Sequence, residues 1–250
     1  MKIALIGYGN MGREIESLIV ENKKDEIVSI SYKNISDSLD KEGIKKADVA
    51  IDFTSPEIIL KNIEEVAKLG KNMVVGTTGW YDKIDDVKNI IEKYKIGLVY
   101  GQNFSIGANL FFKTVEYASS MINKFANYYD VYGFEIHHRG KKDSPSGTAR
   151  KLSEIILKNY KNKNVLQTEK LDRKINDNEL HFASVRGGVN PGLHEIIFDS
   201  EADEIKLIHS ARGRKGFAQG SLVAAQFIKD KKGFYNFDQL FDFNLPGGFK

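Results

Sequence analysis

The sequence predicts an α/β protein: a Rossmann-like, doubly wound parallel sheet joined to an α+β second domain with an open mixed sheet. Three observations carry that prediction. An apolar, β-branched run at the N-terminus ends in Gly-x-Gly-x-x-Gly and passes directly into helical spacing. Short apolar runs then alternate with helical periods as far as residue 104. After Ser105 the rhythm changes to one long helix, a half-buried strand and a group of strands separated by glycine turns. The expected domains are residues 1–104, completed by the C-terminal segment 214–250, and residues 105–213.

Residues 2–6 form the first strand, and Gly7-Tyr8-Gly9-Asn10-Met11-Gly12 leads into a helix that begins near Arg13. In such a loop the first glycine permits the tight turn and the second lets a pyrophosphate approach the backbone. The third lets helix and strand pack closely, and the phosphates rest on the N–H groups at the helix start. A second strand covers 27–31. Its end, Ser31-Tyr32-Lys33-Asn34, lacks the acid that binds a ribose 2′-hydroxyl, and Lys33 is placed to meet a 2′-phosphate. That favours NADPH, or use of both NADPH and NADH.

Ala47–Phe53 reads as the third strand. Thr54-Ser55-Pro56-Glu57 has the hydroxyl, proline and acid of a helix start, and Gly70 ends that helix after Leu69. Strand four, 73–75, runs into Gly76-Thr77-Thr78-Gly79. An acidic helix over about 81–94 precedes strand five, 96–100, which runs into Gly101-Gln102-Asn103-Phe104. Small polar residues at the carboxyl ends of parallel strands are where such sheets bind ligands.

In the second domain a helix over about 106–124 leads to a strand at 128–137. A helix follows at about 147–160, then a polar stretch, 161–178, that reads as a loop. Strands at 181–186, 194–198 and 204–209 read as antiparallel. With the 128–137 strand they form a mixed sheet whose open face suits self-association. A last helix, 216–228, and the segment 233–240 return to the first domain.

Composition narrows the function. With 37 basic and 34 acidic residues the net charge is only +3, so no nucleic-acid or membrane partner is indicated. Cysteine is absent, which excludes disulfides, thiolate catalysis and cysteine metal sites. No apolar run approaches the roughly 18–20 residues needed to span a bilayer, so a cytoplasmic location is expected.

The chemistry gathers in residues 135–149, Glu-Ile-His-His-Arg-Gly-Lys-Lys-Asp-Ser-Pro-Ser-Gly-Thr-Ala. Two of the five histidines stand side by side here, three fixed cations follow, and Pro-Ser-Gly-Thr opens a helix. Proton carriers, positive charge and free backbone N–H groups in one loop suit a small polyanion undergoing acid–base chemistry. His137 is expected to titrate near the ordinary value of about 6.5. His181, His194 and His209 lack metal-ligand spacing and read as packing or sheet residues, so no metal is expected.

Together these motifs resemble the 4-hydroxy-tetrahydrodipicolinate reductase (dihydrodipicolinate reductase) family of the bacterial lysine and diaminopimelate pathway. The resemblance covers nearly the whole chain. It rests on the Gly7–Arg13 loop, Ala50–Thr54, Gly76–Gly79, Asn103–Ser105 and above all His137-His138-Arg139-Gly140-Lys141 with Asp143–Ala149. It implies His137 as proton donor and acceptor, Lys141 as proton donor, and His138, Gly147 and Thr148 as holders of the substrate carboxylates. It further implies cofactor contacts from Gly7–Gly12, Gly76–Thr78 and Gly101–Phe104, and a homotetramer built through the second domain's sheet. Gly140 and Gly101-Gln102 depart from the commoner family pattern. The competing readings are another two-domain nicotinamide dehydrogenase, which leaves Pro145–Thr148 unexplained, and a non-catalytic dinucleotide sensor, which leaves His137 and Lys141 without work.

Overall fold

The computed structural model describes residues 1–31 and 39–242 and divides into two compact units. One comprises residues 1–106 with the chain from Arg214 onward; the other is Gly107–Gly213.

In the first unit six parallel strands form one sheet. They are β1 (Lys2–Ile6), β2 (Glu26–Ser31), β3 (Val49–Asp52), β4 (Asn72–Val75), β5 (Gly97–Tyr100) and β11 (Gly233–Asn236), in the order β11-β5-β4-β3-β1-β2. The alternation of side chains along these short strands splits the core in two. Ile3, Leu5, Val49, Ile51, Val74 and Val99 face α1 (Asn10–Asn22) and α7 (Lys215–Ile228). Ala4, Ile6, Ala50, Met73, Val75 and Leu98 face α2 (Lys41–Lys46), α3 (Ile59–Lys68) and α4 (Ile84–Tyr94). Both faces are therefore covered, as a parallel sheet requires.

Two local readings change. The third helix begins at Ile59 rather than at Thr54: the Thr54 hydroxyl is turned to Asp52, donating to it at 2.7 Å, and Ile58 is the N-cap, with no side-chain cap. The short helix α2, absent from the sequence reading, is capped by Asp40, whose carboxylate accepts from Gly43 N at 3.0 Å.

The second unit is built on α5 (Ile106–Ile122), β6 (Asp130–His137), α6 (Gly147–Asn159), β7 (Val165–Gln167), β8 (Glu179–Arg186), β9 (Leu193–Asp199) and β10 (Glu204–Ser210). Its sheet order is β10-β9-β6-β8-β7. The strands β8, β9 and β10 alternate in direction, as read from the sequence, but β8 and β9 are not neighbours: β6 lies between them, parallel to β8 and antiparallel to β9, which pairs antiparallel with β10. The supposed loop 161–178 contains β7, which pairs parallel with the start of β8. One face packs Val131, Phe182, Ile196 and Phe198 against α5 and α6. The other presents Tyr132, Phe134, Ile136, Val185 and Ile208, of which Val185 and Ile208 are 50% and 56% exposed.

Candidate functional site

In the first unit the loops after β1, β3, β4 and β5 leave the sheet at one edge and stay stitched beyond the strand ends. Gly7 N donates to Ser31 O at 3.0 Å, Phe53 N to Ile6 O at 2.9 Å and Gly76 N to Asp52 O at 2.9 Å. Gly7 takes φ +88°, and a side chain there would overlap the Phe53 carbonyl. A Cβ on Gly12 would lie 2.5 Å from Gly7 O, whereas one on Gly9 would meet nothing within 4 Å among the described residues. The first and third glycines thus serve the fold, and the second leaves room for a ligand. Gly9 is also the N-cap of α1, with no side-chain cap and no acid in the first turn. A helix start left this open suits a pyrophosphate.

The other residues expected to touch the cofactor divide by exposure. Asn10, Thr78 and Gln102 are exposed, and Tyr8, Met11, Gly76 and Asn103 are partly so. Gly101 is buried, and the Phe104 ring lies in the core against Phe53 and Phe237. Thr77 is buried as well, its hydroxyl donating to Asp52 at 3.0 Å. Lys33 lies outside the described residues.

Asp52 is the hub beneath these loops. Its fully buried carboxylate accepts from Thr54 N at 2.9 Å, the Thr54 and Thr77 hydroxyls, and Asn62 Nδ2 at 2.8 Å. Burial pushes its pKa up despite these donors.

In the second unit β6 delivers His137 to its carboxyl end, on the same face as Glu135 two residues earlier. Glu135 is 0% exposed and makes contacts through both oxygens. Oε1 accepts from Ser146 N at 2.8 Å, Ser184 Oγ at 2.9 Å and Arg186 Nη2 at 2.7 Å. Oε2 accepts from the Ser146 hydroxyl and lies 3.2 Å from His137 Nδ1 and 3.3 Å from His194 Nε2. Burial opposes ionisation of Glu135, but the hydrogen bonds from His194, Ser146 and Arg186 outweigh it and hold its pKa well below the carboxylate range.

His137 is 6% exposed. Burial pushes its pKa from 6.5 down to about 4, against the attraction of Glu135, with His194, Lys141 and Arg186 adding to the depression. The expectation of an ordinary imidazole is therefore corrected: at neutral pH His137 rests as a neutral ring.

The loop after β6 is pinned at several points. His138 N donates to Asn190 O at 2.7 Å, and Gly140 N to His138 Nδ1 at 3.2 Å, which leaves the His138 ring proton on Nε2. The Lys141 ammonium pairs with Asp143 at 2.7 Å, and Arg186 reaches from Glu135 to the Asp143 carbonyl, also at 2.7 Å. Ser146 caps α6 by accepting from Ala149 N at 3.1 Å. That leaves the N–H groups of Gly147 and Thr148 as the open donors of the first turn among the described residues.

The structure thus brings Glu135, Ser146, Arg186 and His194 to the predicted histidine loop, and none of them was among the catalytic or binding residues expected from the sequence. His194, read as a packing residue, is buried 3.2 Å from Ser146 Oγ. Glu135, His137 and His194 place ligand atoms within 4.8 Å of one another, the reach of a metal site. However, the Glu135 oxygens are already occupied by protein donors, so a cation would have to displace them. His209, stacked on Phe111, keeps its packing role.

A parallel-sheet unit with an open glycine loop, joined to a unit with a basic, histidine-bearing loop, defines the class of two-domain nicotinamide-dependent reductases. The family follows from the sequence match. Residues 1–104 match the model of the dihydrodipicolinate reductase N-terminus and residues 107–241 that of its C-terminus. The chain belongs to the dihydrodipicolinate reductase family. It is 37% identical over 237 residues to 4-hydroxy-tetrahydrodipicolinate reductase of Christiangramia forsetii, covering 94% of this chain and 95% of the relative. The enzyme of the same name from Archaeoglobus fulgidus is 40% identical over 202 residues, 78% of this chain and 76% of the relative. Among solved structures, dipicolinate-bound dihydrodipicolinate reductase from Paenisporosarcina sp. TG-14 superposes with a TM-score of 0.76 at 25% identity, covering 96% of this chain and 98% of that one. An amine dehydrogenase from Mycobacterium smegmatis, TM-score 0.60 at 9% identity, covers 100% of this chain and 98% of that one and shares the fold alone. Among the described residues no helix is long and apolar enough to cross a membrane.

Proposed function

We propose that this chain reduces 4-hydroxy-tetrahydrodipicolinate to tetrahydrodipicolinate with NADPH or NADH, as a step toward diaminopimelate and lysine. The carrying observation is the β6–α6 segment, which sets His137, the paired Lys141 and the open start of α6 on one short stretch of chain. A reduced nicotinamide supplies the hydride. Water first leaves the hydroxylated ring, one proton being taken from the neighbouring carbon and one given to the departing hydroxyl; the hydride then adds at the carbon so vacated and a proton returns to its neighbour. His137 and Lys141 move these protons at the ring. His138 Nε2–H and the backbone N–H groups of Gly147 and Thr148 hold the two carboxylates, the latter at a helix start where the dipole favours an anion. His137 starts as the neutral ring, so it accepts a proton first; the negative charge of a bound dicarboxylate favours its charged form. Gly7–Gly12, Gly76–Thr78 and Gly101–Phe104 form the dinucleotide frame, with Lys33 toward a 2′-phosphate. The apolar outer face of the second sheet, with Val185 and Ile208 exposed, supports a homotetramer assembled through it.

The decisive experiment supplies freshly formed substrate and follows the absorbance of NADPH and of NADH. His137→Gln and Lys141→Ala are each expected to lower kcat by about 10²–10⁴-fold while dinucleotide affinity is retained. Binding of both cofactors without oxidation of either would leave the sensor reading in place, and unchanged turnover in the variants would remove the assigned roles.

A further inference from the structure

We propose that Glu135 is the positioning residue of this site: its carboxylate orients the His137 imidazole and ties it to the start of α6 and to the loop bearing Lys141. The proposal rests on the reading that His137 moves a proton. Glu135 is a fully buried charge to which that reading gives no work. Burying a carboxylate is expensive, and it persists where something depends on its fixed partners.

Those partners are the proposed chemistry. One oxygen faces His137 Nδ1 at 3.2 Å, close enough for attraction although off the ring N–H direction. Even off that axis, the carboxylate's charge attracts a proton on Nδ1 and repels a lone pair there, so this contact favours the tautomer with the proton on Nδ1 and leaves Nε2 as the accepting atom. Both the N–H and the hydroxyl of Ser146, the cap of α6, bind Glu135, which fixes where the Gly147 and Thr148 donors begin. Arg186 binds the same carboxylate and the Asp143 carbonyl, and Asp143 holds the Lys141 ammonium. One anion thereby sets the register of proton carrier, carboxylate cradle and lysine.

The ring is confined from its other side as well. Gly192 takes φ +154°, and a Cβ there would lie 2.9 Å from His137 Nε2. The charged and titratable groups facing the ring are Glu135 on its own strand, His194 on β9, Arg186 on β8 and Lys141 in the loop. Glu135 is the anion among them. The Ser146 and Ser184 hydroxyls and Ser146 N–H complete its shell.

The test is a double-mutant cycle with Glu135→Gln, which keeps shape and removes charge. Alone it is expected to lower kcat about 10-fold or more, with dinucleotide affinity unchanged. In the His137→Gln background it is expected to cost less than about twofold, because a residue acting through His137 has nothing further to lose. Losses that multiply in full, or a single variant with wild-type kcat, would overturn the proposal. Should Glu135→Gln fold poorly, the wild-type protein answers directly. Long-range ¹H–¹⁵N spectra at neutral pH, with His137 assigned by its absence from His137→Gln, should show the Nδ1–H tautomer. The Nε2–H form would sink the idea. Full turnover by His137→Gln would instead remove the acid–base premise, an outcome distinct from failure of the Glu135 arms.

Discussion

Asp52 and Glu135 are both fully buried, each beneath the functional loops of its own unit, and they are held in opposite ways. The donors around Asp52 are neutral: two hydroxyls, an amide and a backbone N–H. Burial accordingly wins, and its pKa is raised. Glu135 has hydroxyl and backbone donors too, but adds the Arg186 guanidinium and two imidazoles, and its pKa is pushed well below the ordinary range. The contrast follows what each frame is proposed to hold. Beneath the pyrophosphate loop the Asp52 carboxylate is a staple that ties Thr54, Asn62 and Thr77 together through neutral donors. A charge beneath a proton-transferring histidine can orient it, provided a cation offsets the cost of burial.

The largest effect should appear when each carboxylate is removed. Glu135→Ala leaves Arg186 facing an empty, mostly buried site and should destabilise the second unit by about 3–5 kcal/mol. Asp52→Asn retains a neutral acceptor for the same shell and should cost the first unit about 1 kcal/mol. Hydrogen exchange in denaturant can read both units separately, and the single tryptophan, buried Trp80, reports the first. A costly Asp52→Asn with a cheap Glu135→Ala would reverse the comparison.

Acid should separate the units next. The folded pKa of His137 is depressed from 6.5 to about 4, so between those values the unfolded chain binds a proton that the folded chain excludes. Stability of the second unit should therefore rise with pH across that window, by up to about 3 kcal/mol at roughly 1.4 kcal/mol per pKa unit. Burial also depresses His209, which acts in the same direction. The low pKa of Glu135 adds stability above its unfolded value that is lost under stronger acid. His137→Gln should flatten the rise between 4 and 6.5 without abolishing it. An unchanged slope would mean that the ring titrates normally.

How far the sequence reached follows from the same residues. The parallel frame was legible because each turn is local: Gly7–Gly12 and the Gly70 stop depend on neighbours a few positions away. The glycine, histidine and lysine residues of both loops were legible for that reason. Glu135 was in view, but its importance was not, since its partners Ser184, Arg186 and His194 arrive from β8 and β9. Strand register decides that meeting: Glu135 pairs with Ser184 on one side and His194 on the other. Nothing in the spacing of residues 179–199 states that β6 will lie between β8 and β9. Asp52 was likewise seen as part of a strand, while the donors Asn62 and Thr77 that close its shell arrive from α3 and from the loop after β4.

The smallest stability effect is expected at Gly9, and it bears on the first unit's half of the comparison. Gly12→Ala places a methyl 2.5 Å from Gly7 O and should destabilise the unit by about 1–3 kcal/mol, weakening dinucleotide binding only through the damaged loop. Gly9→Ala meets no protein atom within 4 Å among the described residues, so its folding stability should stay within about 0.5 kcal/mol of wild type. Its effect should appear in dinucleotide affinity, measured by calorimetry, because the new methyl occupies the approach to the uncapped start of α1. Loss of affinity at unchanged stability would locate the phosphates at Gly9. Wild-type affinity would mean that the loop's glycines serve packing alone.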